Sequence, residues 1–218
     1  MIKIIGLGPG TFEHLTNEAV VAISNSDVLV ASARILEAAN LSPLARYVEL
    51  PASGMAQAVV DVLERESQCG EVSLLVSGDP GFYSLAKKVV EHFGRDNVNI
   101  IPGVSALQIL SARIGRSWVN VVSDTLHGRE LPDRDELAKK LCSAPALVVL
   151  LGSSDDAIHN IRWLAEDETL GGAWAAIGWD LGLPNELVFE AENLKDLSRC
   201  LYVGKLALLW LEMTAAGK

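Results

Sequence analysis

Three apolar runs, residues 2–5, 72–76 and 98–101, each stop at a short loop built on glycine and proline. The loops are Gly6-Leu7-Gly8-Pro9-Gly10, Ser77-Gly78-Asp79-Pro80-Gly81-Phe82-Tyr83 and Pro102-Gly103-Val104-Ser105-Ala106. Short, continuous apolar runs of this kind read as strands covered on both faces, as in parallel sheets. Ligands of open α/β sheets lie beyond the carboxyl ends of the strands. Glycine there admits close backbone approach, and proline holds a loop in one shape. Three such loops in one half of the chain point to a built pocket.

Composition narrows the classes. With 218 residues, 50% of them apolar, the chain buries a sizeable core as one large or two small domains. A formal charge of −10 argues against a general nucleic-acid binder, because phosphate affinity comes from Lys and Arg. It still allows an anionic small molecule held by a local group of arginines. No apolar run approaches the roughly 20 residues that span a bilayer. Met1-Ile2-Lys3-Ile4-Ile5 runs directly into a strand pattern without signal-peptide anatomy. Cys69, Cys142 and Cys200 are scattered, with neither metal-ligand spacing nor a complete disulfide framework. The expectation is a cytoplasmic protein with no membrane segment and no metal.

Strand and helix patterns alternate through the first half. Strands are expected over 2–5, 28–31, 72–76 and 98–101. Helices are expected from Thr16, as N-cap, to 24, over 55–66, around Leu85 to Phe93, and from 104 to about 114. Gly115-Arg116-Ser117 breaks this pattern, so the domains are placed at 1–115 and 116–218. The second half shows strands over 119–122 and 146–151 and a helix from Asp133, with Asp135 and Glu136 suiting the dipole of its first turn. Three further strand patterns, 173–177, 187–190 and 206–211, have fewer helices between them and read as antiparallel. The fold class is therefore α/β with two domains: a mostly parallel N-terminal α/β domain and a C-terminal mixed-sheet α+β domain.

The first glycine loop invites a dinucleotide reading but departs from that fingerprint. Its third glycine comes one residue early, Pro9 interrupts it, and the second strand runs into Ala31-Ser32-Ala33 instead of an acidic residue. Asp79 follows a buried strand and reads either as the N-cap of the next helix or as a ligand contact at the pocket rim. His127-Gly128-Arg129 suits bidentate recognition of a carboxylate, or else is a solvated turn. Trp179 ends a strand and either lines a pocket for a flat ligand or packs in the core. No Ser/His/Asp set, carboxylate pair or metal cluster emerges from spacing, so no catalytic side chain is assigned.

Taken in order, the three loops resemble those of the tetrapyrrole methylase superfamily, the class III S-adenosylmethionine (SAM)-dependent methyltransferases. The resemblance extends over essentially the whole chain. Val104-Ser105-Ala106-Leu107-Gln108, Leu126-His127-Gly128-Arg129 and Leu181-Gly182-Leu183-Pro184-Asn185-Glu186 look most like the branch that methylates C5 of precorrin-6Y or cobalt-precorrin-7. Two departures stand out: Thr125 replaces a common serine, and Trp179-Asp180 replaces a usual Glu-Asn.

The resemblance implies two domains with SAM, and its product S-adenosylhomocysteine (SAH), in the cleft between them, and a homodimer. Cofactor contacts would come from Leu7, Pro9, Gly78, Asp79, Phe82, Ser105 and Ala106, then from Leu151, Gly152, Ile177, Gly178 and Trp179. Thr125, His127 and Arg129 would face a tetrapyrrole. Arg34, Arg46, Arg113 and Arg116 are further candidates for its carboxylates. The implied reaction is a single methylation at C5 without decarboxylation, leaving the C15 step to a separate decarboxylating methyltransferase partner. Other readings keep the fold but change the acceptor: another corrinoid position, uroporphyrinogen, or a modified histidine as in diphthine synthesis. Further away stand a dinucleotide-dependent oxidoreductase and a ligand-binding module without catalysis.

Overall fold

The structure, a computed structural model, describes residues 1–9, 11–38, 45–52, 54–68, 70–127, 132–152, 154–199 and 204–214. Its chain divides into two compact units, Met1–Ser105 and Ala106–Lys218.

The first unit alternates strands with helices: β1 (Ile2–Gly6), α1 (Asn17–Ser24), β2 (Val28–Ser32), α2 (Ala33–Ala38), β3 (Arg46–Leu50), α3 (Met55–Glu66), β4 (Val72–Val76), α4 (Ala86–Phe93) and β5 (Val98–Ile101). All strand pairs are parallel, in the order β3-β2-β4-β1-β5. Period-two alternation sorts the strand residues between two cores. Ile2, Ile4, Val28, Val30, Val72, Leu74 and Val76 pack with Val59, Leu63 and Val89 of α3 and α4. Ile5, Leu29, Ala31 and Leu75 pack with Ala19, Ala22 and Ile23 of α1 on the other face. Both faces of β4 are thus covered, and all five of its residues are buried. Ser73 is tolerated there because its hydroxyl meets that of Ser26 at 2.6 Å. Each fully buried Leu, Ile or Val contributes about 1.5–3 kcal/mol.

Local signals place the helix starts. The Thr16 hydroxyl accepts the Ala19 amide at 3.1 Å, capping α1 as expected. Helix α3 spans the range expected from its apolar period and ends at Glu66, whose carboxylate meets Arg46 and Arg65.

The second unit comprises α5 (Ala106–Ile114), β6 (Val122–Thr125), α6 (Arg134–Ser143), β7 (Leu147–Gly152), α7 (Ser154–Ala165), α8 (Glu168–Gly172), β8 (Trp174–Trp179), β9 (Leu187–Ala191), α9 (Leu194–Leu197) and β10 (Ala207–Glu212). The sheet order is β6-β7-β10-β8-β9. Strands β6 and β7 run parallel, and the other pairs are antiparallel, as the sequence patterns lead one to expect. Asp133 caps α6 through the Asp135 amide.

Several features differ from expectation. Helix α5 packs on β8 and β10, so the second unit takes it and the division falls at Ser105/Ala106 rather than at 115. Strand β6 starts at Val122 rather than 119, because Asn120 sits at φ +62° in a turn that leaves Trp118 and Val119 exposed. Helices α2, α7, α8 and α9 and strand β3 occupy stretches given no such element on sequence grounds. Among the described residues, no helix is long and apolar enough to cross a membrane.

Candidate active site

Loops after β1, β4 and β5 converge through glycine backbones. Gly8 and Gly78 exchange amide hydrogen bonds, 3.1 Å and 2.7 Å long, in an isolated antiparallel bridge. The Leu7 amide adds a bond to the Val76 carbonyl at 2.9 Å. A Cβ on Gly103 would lie 2.4 Å from the Gly78 carbonyl oxygen and 2.8 Å from Gly6, so the backbones touch where no side chain fits. Gly78 differs: at φ +70°, its Cβ direction meets, among the described residues beyond its chain neighbours, nothing nearer than the Ser105 Cα at 3.9 Å. The loops therefore close on one another and leave the Gly78 side of the cluster open.

Asp79 holds this arrangement. Its Oδ1 accepts the Gly81 amide at 2.7 Å, and its Oδ2 accepts the Gly103 amide at 3.1 Å. It is not the helix cap: α4 follows Leu85 and has no side-chain cap bond. Phe82 and Tyr83 stack edge to face at 4.8 Å just beyond, with Tyr83 at φ +47°. Leu7 and Ser105 are buried, while Pro9, Gly78, Asp79 and Phe82 are half-buried. The expected first-unit residues Leu7, Pro9, Gly78, Asp79, Phe82 and Ser105 thus all lie on the loops at one end of the first sheet. Ala106 begins α5 of the second unit.

The glycine loop after β1 is not a helix N-terminus. A 3-10 turn, Phe12–His14, and then the Thr16 cap separate it from α1. A dinucleotide site needs the helix to begin within the glycine run, so its pyrophosphate would find no helix N-terminus here.

In the second unit, register gathers the remaining residues. Ala207 of β10 pairs with Gly152 on one side and with Trp179 on the other. Gly152, Ala207 and Trp179 therefore form one row across β7, β10 and β8, next to Leu151, Gly178 and Ile177. Sequence reasoning missed Ala207; its signal is the small residue opening an otherwise bulky strand. Trp179 is 2% exposed and belongs to the core cluster, so packing prevails over pocket lining for its ring.

Thr125, also buried, accepts the His127 amide on its hydroxyl oxygen at 3.1 Å. The His127 ring then covers Gly152: a Cβ there would stand 2.6 Å from the imidazole Nδ1, and Gly152 adopts φ +89°. His127 and Gly152, expected at the acceptor and at the cofactor respectively, are thus neighbours. Arg129 and Gly128 lie outside the described residues. Beside Thr125, Asp124 accepts from Lys140 at 2.7 Å. The Asp124 and Glu136 carboxylates hold the Lys140 ammonium above its usual range.

Three of the other candidate arginines meet carboxylates of the chain itself. Arg46 pairs with Glu66 and Arg113 with Glu186, while Arg116 pairs with Glu212 at 3.6 Å and lies 4.9 Å above the Trp174 ring. Glu186 keeps the Arg113 guanidinium firmly charged, raising its pKa. Among the described residues, no group of three His, Cys, Asp or Glu side chains is placed to hold a metal ion.

A parallel sheet with three glycine loops at one end, followed by a mixed sheet of this order, defines the tetrapyrrole methylase class of fold. The chain belongs to that family, the tetrapyrrole (corrin/porphyrin) methylases, matching it over residues 1–197. It is 31% identical over 137 residues to the cobalt-precorrin-7 C(5)-methyltransferase of Salmonella typhimurium; the match spans 59% of this chain and 62% of that relative. Among solved structures, the cobalamin-biosynthesis precorrin-6Y methylase of Archaeoglobus fulgidus superposes with a TM-score of 0.72 at 22% identity, covering 99% of each chain. The uroporphyrin-III C-methyl transferase of Thermus thermophilus, complexed with S-adenosyl homocysteine, gives 0.70 at 21% identity, over 97% of this chain and 91% of that one.

Proposed function

We propose that this chain is a SAM-dependent C-methyltransferase of corrin synthesis that methylates C5 of a precorrin-6Y or cobalt-precorrin-7 type tetrapyrrole and does not decarboxylate it. The observation carrying this reading is the backbone cradle around Gly78, packed tight at Gly6 and Gly103 yet open along the Gly78 Cβ direction. A ligand that packs against bare backbone suits such a cradle, because glycine lets it approach closely. The similarity to a cobalt-precorrin-7 C(5)-methyltransferase supports the acceptor, and the homologous fold holding S-adenosyl homocysteine supports the cofactor.

When bound, SAM supplies an electrophilic methyl on a sulfonium. Leu7, Pro9, Gly78, Asp79, Phe82 and Ser105 would hold it from the loops of the first unit; Ala106, Leu151, Gly152, Ile177, Gly178 and Trp179 are the further contacts that the family resemblance implies. Asp79 keeps two of the loops in register. Thr125 fixes the backbone at His127, and His127 and Arg129 are the side chains proposed for the acceptor carboxylates. The chain's task is alignment, which alone is worth several powers of ten in a displacement at carbon. An electron-rich, enamine-like tetrapyrrole carbon attacks without help from an activated side chain.

Calorimetric titration with SAH and with NAD tests the cofactor: heat from SAH and none from NAD is expected. Incubation with the precorrin and carbon-13-labelled SAM tests the reaction. One new methyl signal at C5 with no mass loss is expected; two methyls or a loss of carbon dioxide overturns it. Methylation of uroporphyrinogen instead would favour the second reading, which rests on the similarity to the Thermus thermophilus enzyme. The reading carries with it a homodimer, a cytoplasmic location and a separate decarboxylating C15-methyltransferase. Sedimentation of the purified chain, alone and mixed with that enzyme, tests the two assemblies.

A further inference from the structure

The turn joining β8 to β9 is organised around a buried carboxylate that the proposed chemistry leaves unused. Asp180 is 2% exposed and sits at φ +47°. Its Oδ1 accepts the amides of Lys205 and Leu206 at 2.9 Å and 3.0 Å, and its Oδ2 accepts the Asn185 side-chain amide at 2.5 Å. Its own amide donates to the Leu206 carbonyl at 2.9 Å, and its carbonyl accepts from Leu183 at 2.9 Å. Every polar group of one residue thus ties the end of β8 to the start of β10 and to the turn between β8 and β9.

The same turn is clamped at its far end. Glu186 accepts the Gly182 amide at 2.6 Å and pairs with Arg113 of α5. Leu181 folds back so closely that a Cβ on Gly178 would meet its methyl at 2.5 Å. A Cβ on Gly204 would meet the Trp179 ring at 3.0 Å and the Asp180 carboxylate at 3.1 Å. Any shift of Asp180 is therefore passed to Trp179, to Gly178 beside it and, through Leu206, to Ala207.

We propose that Asp180 and Asn185 are a positioning pair: their hydrogen bond sets the Gly178–Trp179–Ala207 backbone at the spacing that cofactor binding requires. This rests on the methyltransferase reading above. The polarity of the bond is what matters. Asp180→Asn exchanges a charged acceptor for a neutral amide, which Asn185 can still meet by turning its own Oδ1 toward the new NH2 group, and asparagine accepts the positive φ well. Asn185→Asp sets carboxylate against carboxylate. The two together restore one donor and one acceptor with the direction reversed.

Four proteins, namely wild type, each single variant and the double variant, are titrated with SAH below their melting temperatures, with circular dichroism confirming the fold. Asn185→Ala, a milder change at an exposed position, is added in case a single variant does not fold. Asn185→Asp is expected to bind SAH about tenfold or more weakly, Asp180→Asn less severely because a neutral bond replaces the charged one, and the double variant returns to within about threefold of wild type. Single variants that melt earlier but bind SAH as wild type does would make the pair merely structural and overturn the proposal. So would a double variant no better than Asn185→Asp alone. A wild-type chain that binds no SAH would instead overturn the methyltransferase reading, and this one with it.

Discussion

The Asp79 carboxylate accepts the Gly103 amide at 3.1 Å, linking loops 24 residues apart in sequence. Its other oxygen caps Gly81, so one side chain orders two of the three loops of the proposed cofactor cradle. Asp79→Ala leaves both amides without this acceptor. The expected cost is about 1.5–3 kcal/mol, divided between loop stability and SAH affinity, with little change in acceptor KM. Arg129→Ala is expected to raise acceptor KM and spare SAH affinity. Equal losses of both ligands in both variants would show that the changes act through folding alone.

Gly103 and Gly78 are expected to fail in opposite ways. Gly103→Ala forces a Cβ to within 2.4 Å of the Gly78 carbonyl oxygen, so it destabilises the fold by about 1–3 kcal/mol or more. Gly78→Ala brings its new methyl no closer than 3.9 Å to any described residue beyond its chain neighbours and bears the left-handed backbone strain, about 1–2 kcal/mol. That methyl enters the open side of the cradle, so SAH binding falls in a chain that stays folded. Urea unfolding paired with SAH titration separates the two. A Gly78→Ala protein that binds SAH normally would contradict the placement of the cofactor.

Thr125 is expected to act through its oxygen. Thr125→Ser keeps the acceptor for the His127 amide, whereas Thr125→Val leaves that amide without its partner and destabilises the His127 turn by about 1–3 kcal/mol. Steady-state kinetics should show a raised acceptor KM for the valine variant and near-normal behaviour for the serine variant. Indistinguishable kinetics for the two would remove the hydroxyl from the acceptor site.

Glu66 supplies a pH dependence of stability. The hydrogen bond from Arg46, aided by Arg65 and opposed by burial, lowers its pKa in the folded chain. A carboxylate with a lowered folded pKa contributes stability that is complete above its unfolded value, about 4.3, and fades as the pH falls below it. Arg46→Ala moves the folded pKa upward and removes part of that contribution. The melting temperature, followed from roughly pH 6 to pH 3, should therefore differ most between the two proteins at the upper end and converge at the acid end. Parallel curves at all pH values would assign Arg46 no electrostatic role.

How much of the fold is legible in the sequence depends on the distance over which each feature is decided. The apolar period of α3, the caps at Thr16 and Asp133, and the uninterrupted burial of β4 are set by neighbours within a few residues. So are the glycine loops at the strand ends. Strand β3 gives no such signal because an edge strand, paired only with β2, keeps exposed Arg46, Tyr47 and Glu49 and loses the apolar signature. Strand β6 reads as starting too early because Trp118 and Val119 are apolar yet exposed, and nothing local tells a strand residue from a turn residue of the same hydropathy.

Pairings between distant segments leave no such trace. The Gly8–Gly78 bridge, the Asp79–Gly103 bond, the row Gly152–Ala207–Trp179 and the ties from Asp180 to Lys205 and Leu206 each join segments that meet only because the sheets adopt their strand orders. Residue types announce that glycine and aspartate have work near a strand end. Which backbone they meet is settled by packing, since strand order depends on the whole set of buried faces, and no window of sequence contains that sum.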